Sequence, residues 1–444
     1  MLATYQIHQQ RPETAKIVVS TNSSLDQFYH TLQLCLRFAP DGNDVFNHLI
    51  SCLERFHFIP MLDRMAEAEL RRVIPMLSQK LKGLRLPVSS IPKLHAICQQ
   101  MDVSHLVSTR YCVLLGEEDG RNAAAEDIEL LGEVLPNLEI LHVFCSIQGY
   151  IPVLKKVRIL SLVNASQATL DGLLQKCPQL EHFMICHTSD FKSVYDMENI
   201  RLCKLIKDLL LPFQVKTPLA IGHLANLRHL SLESKRLWAE SAWLPTVLAI
   251  IKAKRFALER LTFDGTWLVG PLIVSKLELT QCTALRELRL SNCKVDDGVG
   301  CPLPLICQKL SFRRCTLNKV YGFLATQQML RHLELFECQV QWTGPLIRKL
   351  IGLSMRRLGP KPLHFQFSQS TRLRSEYTKL EKEELAASKP WIQVREVEPP
   401  QSETWKQPPG TITMEFGRPI DHLPNVQLPV ESIPVAADLL KELY

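Results

Sequence analysis

The sequence carries no dominant charge. Lys and Arg number 52 against 45 Asp and Glu, a formal net charge of +7 over 444 residues, and the two signs are mixed almost everywhere. Such balance focuses no long-range field and argues against nucleic acid as the partner, because a polyanion wants one sign. The densest basic stretch, Arg348-Lys349, Arg356-Arg357, Lys361, Arg372 and Arg374, reads as a solvated helical flank rather than a platform on which bases stack. Long apolar runs are missing too: no window approaches the roughly 18 apolar residues of a membrane span. The opening Met1-Leu2-Ala3-Thr4-Tyr5-Gln6-Ile7-His8 interrupts its apolar residues where a signal peptide keeps them unbroken. A cytoplasmic and/or nuclear protein with reduced thiols is therefore expected. On that expectation the glycosylation-type triplets Asn22-Ser23-Ser24 and Asn164-Ala165-Ser166 are chance matches.

Motifs of chemistry are also lacking. There is no Walker loop, G-x-G-x-x-G, G-x-S-x-G or H-E-x-x-H, so no enzyme, no cofactor and no catalytic residue is expected. The 14 cysteines contain no C-x-x-C pair, and Cys293, Cys301, Cys307 and Cys315 stand eight, six and eight residues apart, which is not zinc spacing. His182 and Cys186-His187 invite a metal reading, but they lie across an expected strand, on which adjacent side chains face opposite ways. No metal site is expected.

What the sequence has is a period. Leu285, Leu288, Leu290, Cys293 and Val295 are followed by Cys307, Leu310, Phe312, Cys315 and Leu317, then by Leu330, Leu333, Leu335, Cys338 and Val340; the starts lie 22 and 23 residues apart. Each segment fits L-x-x-L-x-L-x-x-C-x-L, the signature of a leucine-rich repeat of the cysteine type. Weaker copies start at Leu81, Leu138, Val157, Leu180, Leu227 and Leu258, with degenerate ones near Val103 and Leu363-Phe365; the 47 residues from Leu180 to Leu227 must hold an insertion or an unrecognised repeat. Side chains alternate along a strand, so positions four and six enter the core while three, five and seven face outward. The ninth position leaves the strand, where a small cysteine meets freed backbone groups. Helical returns such as Leu173 to Pro178 and Leu279 to Cys282 join the strands, Pro178 stopping the first. One repeat buries too few leucines to offset the entropy of ordering its own backbone, so neighbours must stack.

The fold class expected is α/β: a leucine-rich-repeat solenoid, or horseshoe, over 77–370, with strands on the concave side, a small all-helical N-terminal domain at 31–76 and an irregular C-terminal tail. Residues 1–30 are expected to be poorly ordered, with polar clusters such as Thr21 to Ser24. In 371–398, Arg372 to Ala387 reads as an amphipathic helix and Trp391-Ile392-Gln393-Val394 as one more strand. The Pro-rich 399–444 reads as an extended segment closed by a short helix from Ala436.

In the N-terminal block Val45, Phe46, Leu49, Ile50 and Leu53 recur at helical spacing behind Asn43-Asp44 as a cap, and after Pro60 the face continues with Met61, Leu62, Met65, Leu70, Val73 and Ile74. This block, running straight into repeats with Cys177-Pro178-Gln179-Leu180 and Cys282-Thr283-Ala284-Leu285, resembles an F-box followed by leucine-rich repeats. Ala39-Pro40 stands where that family has Leu-Pro, and the family's Trp near the motif's end is absent. The resemblance implies the substrate-recognition subunit of a cullin-based (SCF-type) ubiquitin ligase, in ubiquitin-dependent degradation. Its adaptor would dock on Val45, Phe46, Leu49, Ile50, Leu53, Met61 and Leu62. Two other readings stand beside it: the helices are a cap over the first repeat, and the protein is a scaffold or inhibitor with no ligase link.

The outward positions define the candidate surface for a protein partner: His229, Arg260, Glu287, Lys309 and His332 at position three, Arg289 and Glu334 at five, Arg313 and Phe336 at seven. Mixed charge with one aromatic suits a protein recognised by complementary charge.

Overall fold

The structure, a computed structural model, describes residues 83–340 apart from short gaps, the strand segments 2–5, 17–20, 363–367, 392–396 and 412–416, and positions 71 and 74. The chain divides into two compact units, Met1–Phe183 and Met184–Tyr444.

In the second unit, parallel strands Asp208–Leu211, His229–Glu233, Arg260–Asp264, Glu287–Ser291, Lys309–Arg313, His332–Phe336 and Leu363–Phe367 follow one another in chain order. Their register is that of the repeat. Leu261, Leu288, Leu310 and Leu333 pair rung to rung, and so do Phe263, Leu290, Phe312 and Leu335. All eight are buried. Positions four and six thus point into one core because the strand period puts them there, and each rung covers its neighbour's open side. The first unit repeats the arrangement with Gly83–Pro87, Tyr111–Leu115, Ile140–Phe144 and Ile159–Val163. The strand His182–Cys186 carries the division between units.

Two rungs stand where the pattern is degraded. The copy sought near Val103 starts six residues later, with Thr109, Cys112 and Leu114 in the core positions; Cys112 pairs with Leu84 and Leu141. The gap after Leu180 holds a full rung, Ile206, Leu209 and Leu211, in register with Leu230 and Leu232. Thr109 and Ile206 replace the leading leucine, which is why neither start stands out.

The bend after the strand has a conformational cause. Asn164, Asn292, Arg314 and Glu337 all occupy position eight, and all have φ of 52–53°, in the left-handed region that costs most side chains but Asn less. After Asn292, Arg314 and Glu337 this turn releases the chain into a second row of short parallel strands, Cys293–Val295, Thr316–Leu317 and Gln339–Val340, which Leu272–Ile273 begins. Arg314→Val should lower stability to unfolding by about 1–2 kcal/mol relative to Arg314→Gly, because a β-branched residue resists that φ and glycine does not. Urea unfolding of the two variants measures the difference.

The ninth-position thiols donate to backbone carbonyls, Cys293 within its own rung and Cys315 and Cys338 to the rung before. Cys293 Sγ donates to the Ser291 carbonyl at 3.2 Å, Cys315 Sγ to the Leu290 carbonyl at 3.3 Å and Cys338 Sγ to the Phe312 carbonyl at 3.2 Å. Burial holds the Cys293 and Cys338 thiols well above their usual range. These are packing residues, as the spacing implies.

The returns differ between units. In the first they include the helices Ser90–Gln100, Ala125–Val134 and Gln167–Lys176. Ser166 Oγ caps the last of these by accepting from the Thr169 amide, and its Leu170, Leu173 and Leu174 are buried. Among the described residues of the second unit most are 3-10 turns, such as Pro218–His223 and Leu279–Gln281. The long helix Glu240–Lys254 is the exception, and its Trp243 packs against Phe213 and Phe263 with ring centroids 5.5 and 5.7 Å away. Lys254 Nζ donates to the Leu224 carbonyl in the buried interior.

Both ends depart from expectation. Leu2–Tyr5 and Ile17–Ser20 pair antiparallel where poor order was expected. Within the Pro-rich tail, expected as an extended segment, Ile412–Phe416 forms a strand antiparallel to Leu363–Phe367 on one side and to Ile392–Glu396 on the other. Ile412, Met414 and Phe416 alternate with polar residues, which suits a strand despite the prolines nearby. The expected helices in 31–70 and 372–387 lie outside the described residues, as do Val45, Phe46, Leu49, Ile50, Leu53, Met61 and Leu62. Ile74 is buried. Among the described residues no helix is long and apolar enough to cross a membrane.

Candidate protein-binding face

Because neighbouring rungs are in register, side chains at one repeat position stack into a row. Position three of the second unit brings Asp208, His229, Arg260, Glu287, Lys309 and His332 into succession. The row pairs with itself. Asp208 holds His229. Glu287 takes Arg260 on one oxygen at 2.6 Å and Arg289, two residues along its own strand, on the other at 2.7 Å. Lys309 reaches Glu334 at 2.8 Å. Burial alone would raise the Glu287 carboxyl, but Arg289, Arg260 and Lys309 outweigh it and take it down to about 2. Ser291 Oγ donates to Asp264 at 2.8 Å, which fixes the position-seven row. Arg313, in the same row, makes no ion pair among the described residues.

The second-unit residues expected at positions three, five and seven therefore stand on neighbouring rungs, with one exception in detail. Phe336, expected as the aromatic of this surface, is 2% exposed and is not available to a partner. Ser311, at position five of its rung, is also buried. Asp208 was missed because its rung was missed; once Ile206-x-x-Leu209-x-Leu211 is seen, Asp208 falls at position three.

The same positions in the first unit have another character. Tyr111, Val113, Ile159, Ser161 and Val163 are buried although they stand at positions three, five and seven. Outward-facing in strand geometry is thus not solvent-facing here. His142, at position five, is 1% exposed, meets the Tyr111 ring edge-on at a centroid distance of 5.2 Å, and has no hydrogen-bond partner for either ring nitrogen among the described residues. Burial pushes its pKa down to about 4. Its folded value lies below the ordinary 6.5, so the unfolded chain takes up a proton first. Stability is full above pH 6.5 and falls as pH drops toward 4, by about 2 kcal/mol at pH 5. His142→Phe should flatten that part of the stability–pH curve, as read from urea midpoints at pH 7 and pH 5.

His182 and Cys186 are half-buried, and His187 lies outside the described residues. Among the described residues no three His, Cys, Asp or Glu side chains gather as metal ligands.

The stacked register defines a leucine-rich-repeat α/β solenoid. No family model matches the sequence, and no curated protein matches it. Among solved structures, the chain is similar to an internalin of Listeria monocytogenes, at 14% identity over 73% of this chain and 85% of that one, with a TM-score of 0.36. It is also similar to a chain of the mouse RP105/MD-1 complex, at 15% identity over 59% and 43% with a TM-score of 0.32. A chain of the Toll–Spatzle complex of Drosophila aligns at 12% identity over 65% and 43%, TM-score 0.33. Superpositions this loose leave the assignment resting on the register itself.

Proposed function

We propose that the chain is a protein-interaction module without catalytic function, and that its second unit holds a protein partner on the position-three, -five and -seven rows. The observation that carries this is the self-paired ladder of Arg260, Glu287, Arg289, Lys309 and Glu334. Fixed charges of both signs, held rigid by one another, present a patterned surface at low ordering cost, and such a pattern selects a partner by charge complementarity. A polyanion meets carboxylates as well as cations there. Charge reversal in Arg289→Glu/Arg313→Glu is expected to weaken the affinity-purified partner by tenfold or more. Retention of that partner at unchanged affinity by a folded variant counts against the proposal.

The finer reading is a substrate receptor of a cullin-based ubiquitin ligase, supported by the F-box-like pattern from Asp44 to Leu53 and from Pro60 to Ile74. In this reading Val45, Phe46, Leu49, Ile50, Leu53, Met61 and Leu62 hold the ligase adaptor in the cytoplasm or nucleus. The full chain should then pull down the adaptor, and Leu49→Asp should lose it while keeping the partner of the second unit. Wild-type purifications without adaptor or cullin rule out the ligase reading. Partner capture that survives deletion of residues 1–76 then leaves a scaffold or inhibitor.

A further inference from the structure

A second surface follows from the row at position two, on the edge where each strand begins. In the first unit this row is a closed ladder: Arg110 pairs with Glu139 and Arg158 with Glu181, one rung to the next. In the second unit it runs Lys207, Arg228, Glu259, Arg286, Gln308 and Arg331. Only Glu259 supplies an acid, and it answers Arg228 at 3.6 Å. Arg286 and Arg331 have no carboxylate among the described residues, nor has Lys204 two residues before its rung.

The two-residue turn that leads into each strand lies on the same edge, and here large apolar side chains stand in water. Phe256 is 67% exposed, Leu305 60% and Met329 49%, with Leu205 and Ile306 more than a third exposed. They occupy the last two positions before the first core residue of four of the six rungs; Ala225-Asn226 and Thr283-Ala284 stand at the other two. Arg255 lies over the Phe256 ring, 4.6 Å from its centroid. Among the described residues the first unit's position-two cations are paired, and its entry turns expose one large apolar side chain, Val107 at 44%, against five in the second unit. Apolar groups left exposed beside unanswered cations mark an interaction surface.

We infer that this edge of the second unit binds an acidic amphipathic helix of a partner protein, through Leu205, Phe256, Leu305, Ile306 and Met329 for its apolar stripe and Lys204, Arg286 and Arg331 for its carboxylates. The dimensions suit one helix. Six rungs at about 4.8 Å spacing make a strip about 24 Å long, the length of about 16 helical residues, and the strip is a single row of turns wide. A bilayer surface would engage a broader apolar area, and single-stranded nucleic acid would want several aromatic platforms where this edge has one. The surface is separate from the rows of Arg260, Glu287 and Arg289, so it adds to the function proposed above and fails or stands independently.

The test uses the full chain and a displayed library of random 16-residue peptides, selected on wild type and counter-selected on Arg286→Glu/Arg331→Glu. The retained peptides should be net acidic with apolar residues three and four apart. Synthesised, they should bind the double variant and, separately, Leu305→Asp at least tenfold more weakly, while Arg313→Glu leaves them unchanged. These side chains are exposed, and thermal unfolding midpoints within a few degrees of wild type confirm that the variants fold. Neutral or basic peptides, or peptides that bind both forms equally, overturn the inference. So does binding to phosphatidylserine vesicles or single-stranded RNA that the same double variant abolishes while no acidic peptide is retained.

Discussion

Leu310→Ala is expected to destabilise the second unit by about 2–5 kcal/mol. Leu310 is fully buried at position four, paired with Leu288 on the rung before and Leu333 on the rung after, both fully buried themselves. Truncation removes contacts on both sides at once, and a parallel ladder held by its backbone hydrogen bonds cannot close over the void. Stability in a stacked array is a sum of rung and interface contributions, so one weak rung weakens two interfaces. The loss should appear in urea unfolding as a lower midpoint for the second unit. Gln308→Ala, two residues away on the half-exposed edge, should stay within about 0.5 kcal/mol of wild type. Equal effects from the two substitutions would mean that the core does not lie where the repeat places it.

Glu287→Gln is expected to cost about 3 kcal/mol at neutral pH. The carboxylate is largely shielded and accepts from Arg260 and Arg289 on separate oxygens; a neutral amide leaves two guanidinium groups facing one another without an anion. The size follows from the folded pKa of about 2 against the ordinary 4.5 of a glutamate, at about 1.4 kcal/mol for each pH unit. Because the folded value is the lower one, this stabilisation is complete above pH 4.5 and disappears as pH falls toward 2. The Gln variant should lack that acid-side slope. Its effect is thus separable from that of His142, whose contribution is lost between pH 6.5 and 4. Unfolding midpoints of both single variants across pH 7 to 3 distinguish the two groups.

Most of the ladder could be read from spacing alone, because strand alternation converts a list of leucines directly into a register. Leu288, Leu310 and Leu333 needed no other information. The rungs at Thr109 and Ile206 were hidden because the leading position tolerates any small or branched side chain that fills it. The tail strand Ile412–Phe416 was hidden behind prolines that lie outside its five residues, and its stability comes from partners distant in sequence. Burial of the first unit's outward positions was legible in principle. Tyr111 to Leu115, Ile140 to Phe144 and Ile159 to Val163 are near-continuous apolar runs, the pattern of strands covered on both faces. The candidate face was legible as to which side chains share a row. That they neutralise one another was not, since pairing depends on rotamers and on which residue stands one rung away. Left-handed φ at Arg314 and Glu337 had no signal in residue type; Asn164 and Asn292 carried a weak one.

The central claim is that equivalent leucines occupy adjacent rungs, and nuclear Overhauser effects between leucine methyl groups in selectively methyl-labelled full-length protein test it most directly. Cross-peaks should join Leu288 to Leu310 and Leu310 to Leu333, with none of comparable intensity between Leu288 and Leu333, which stand two rung spacings apart. Absence of the first two, or a direct Leu288–Leu333 contact as strong as either, would contradict the stacked ladder and everything built on its rows.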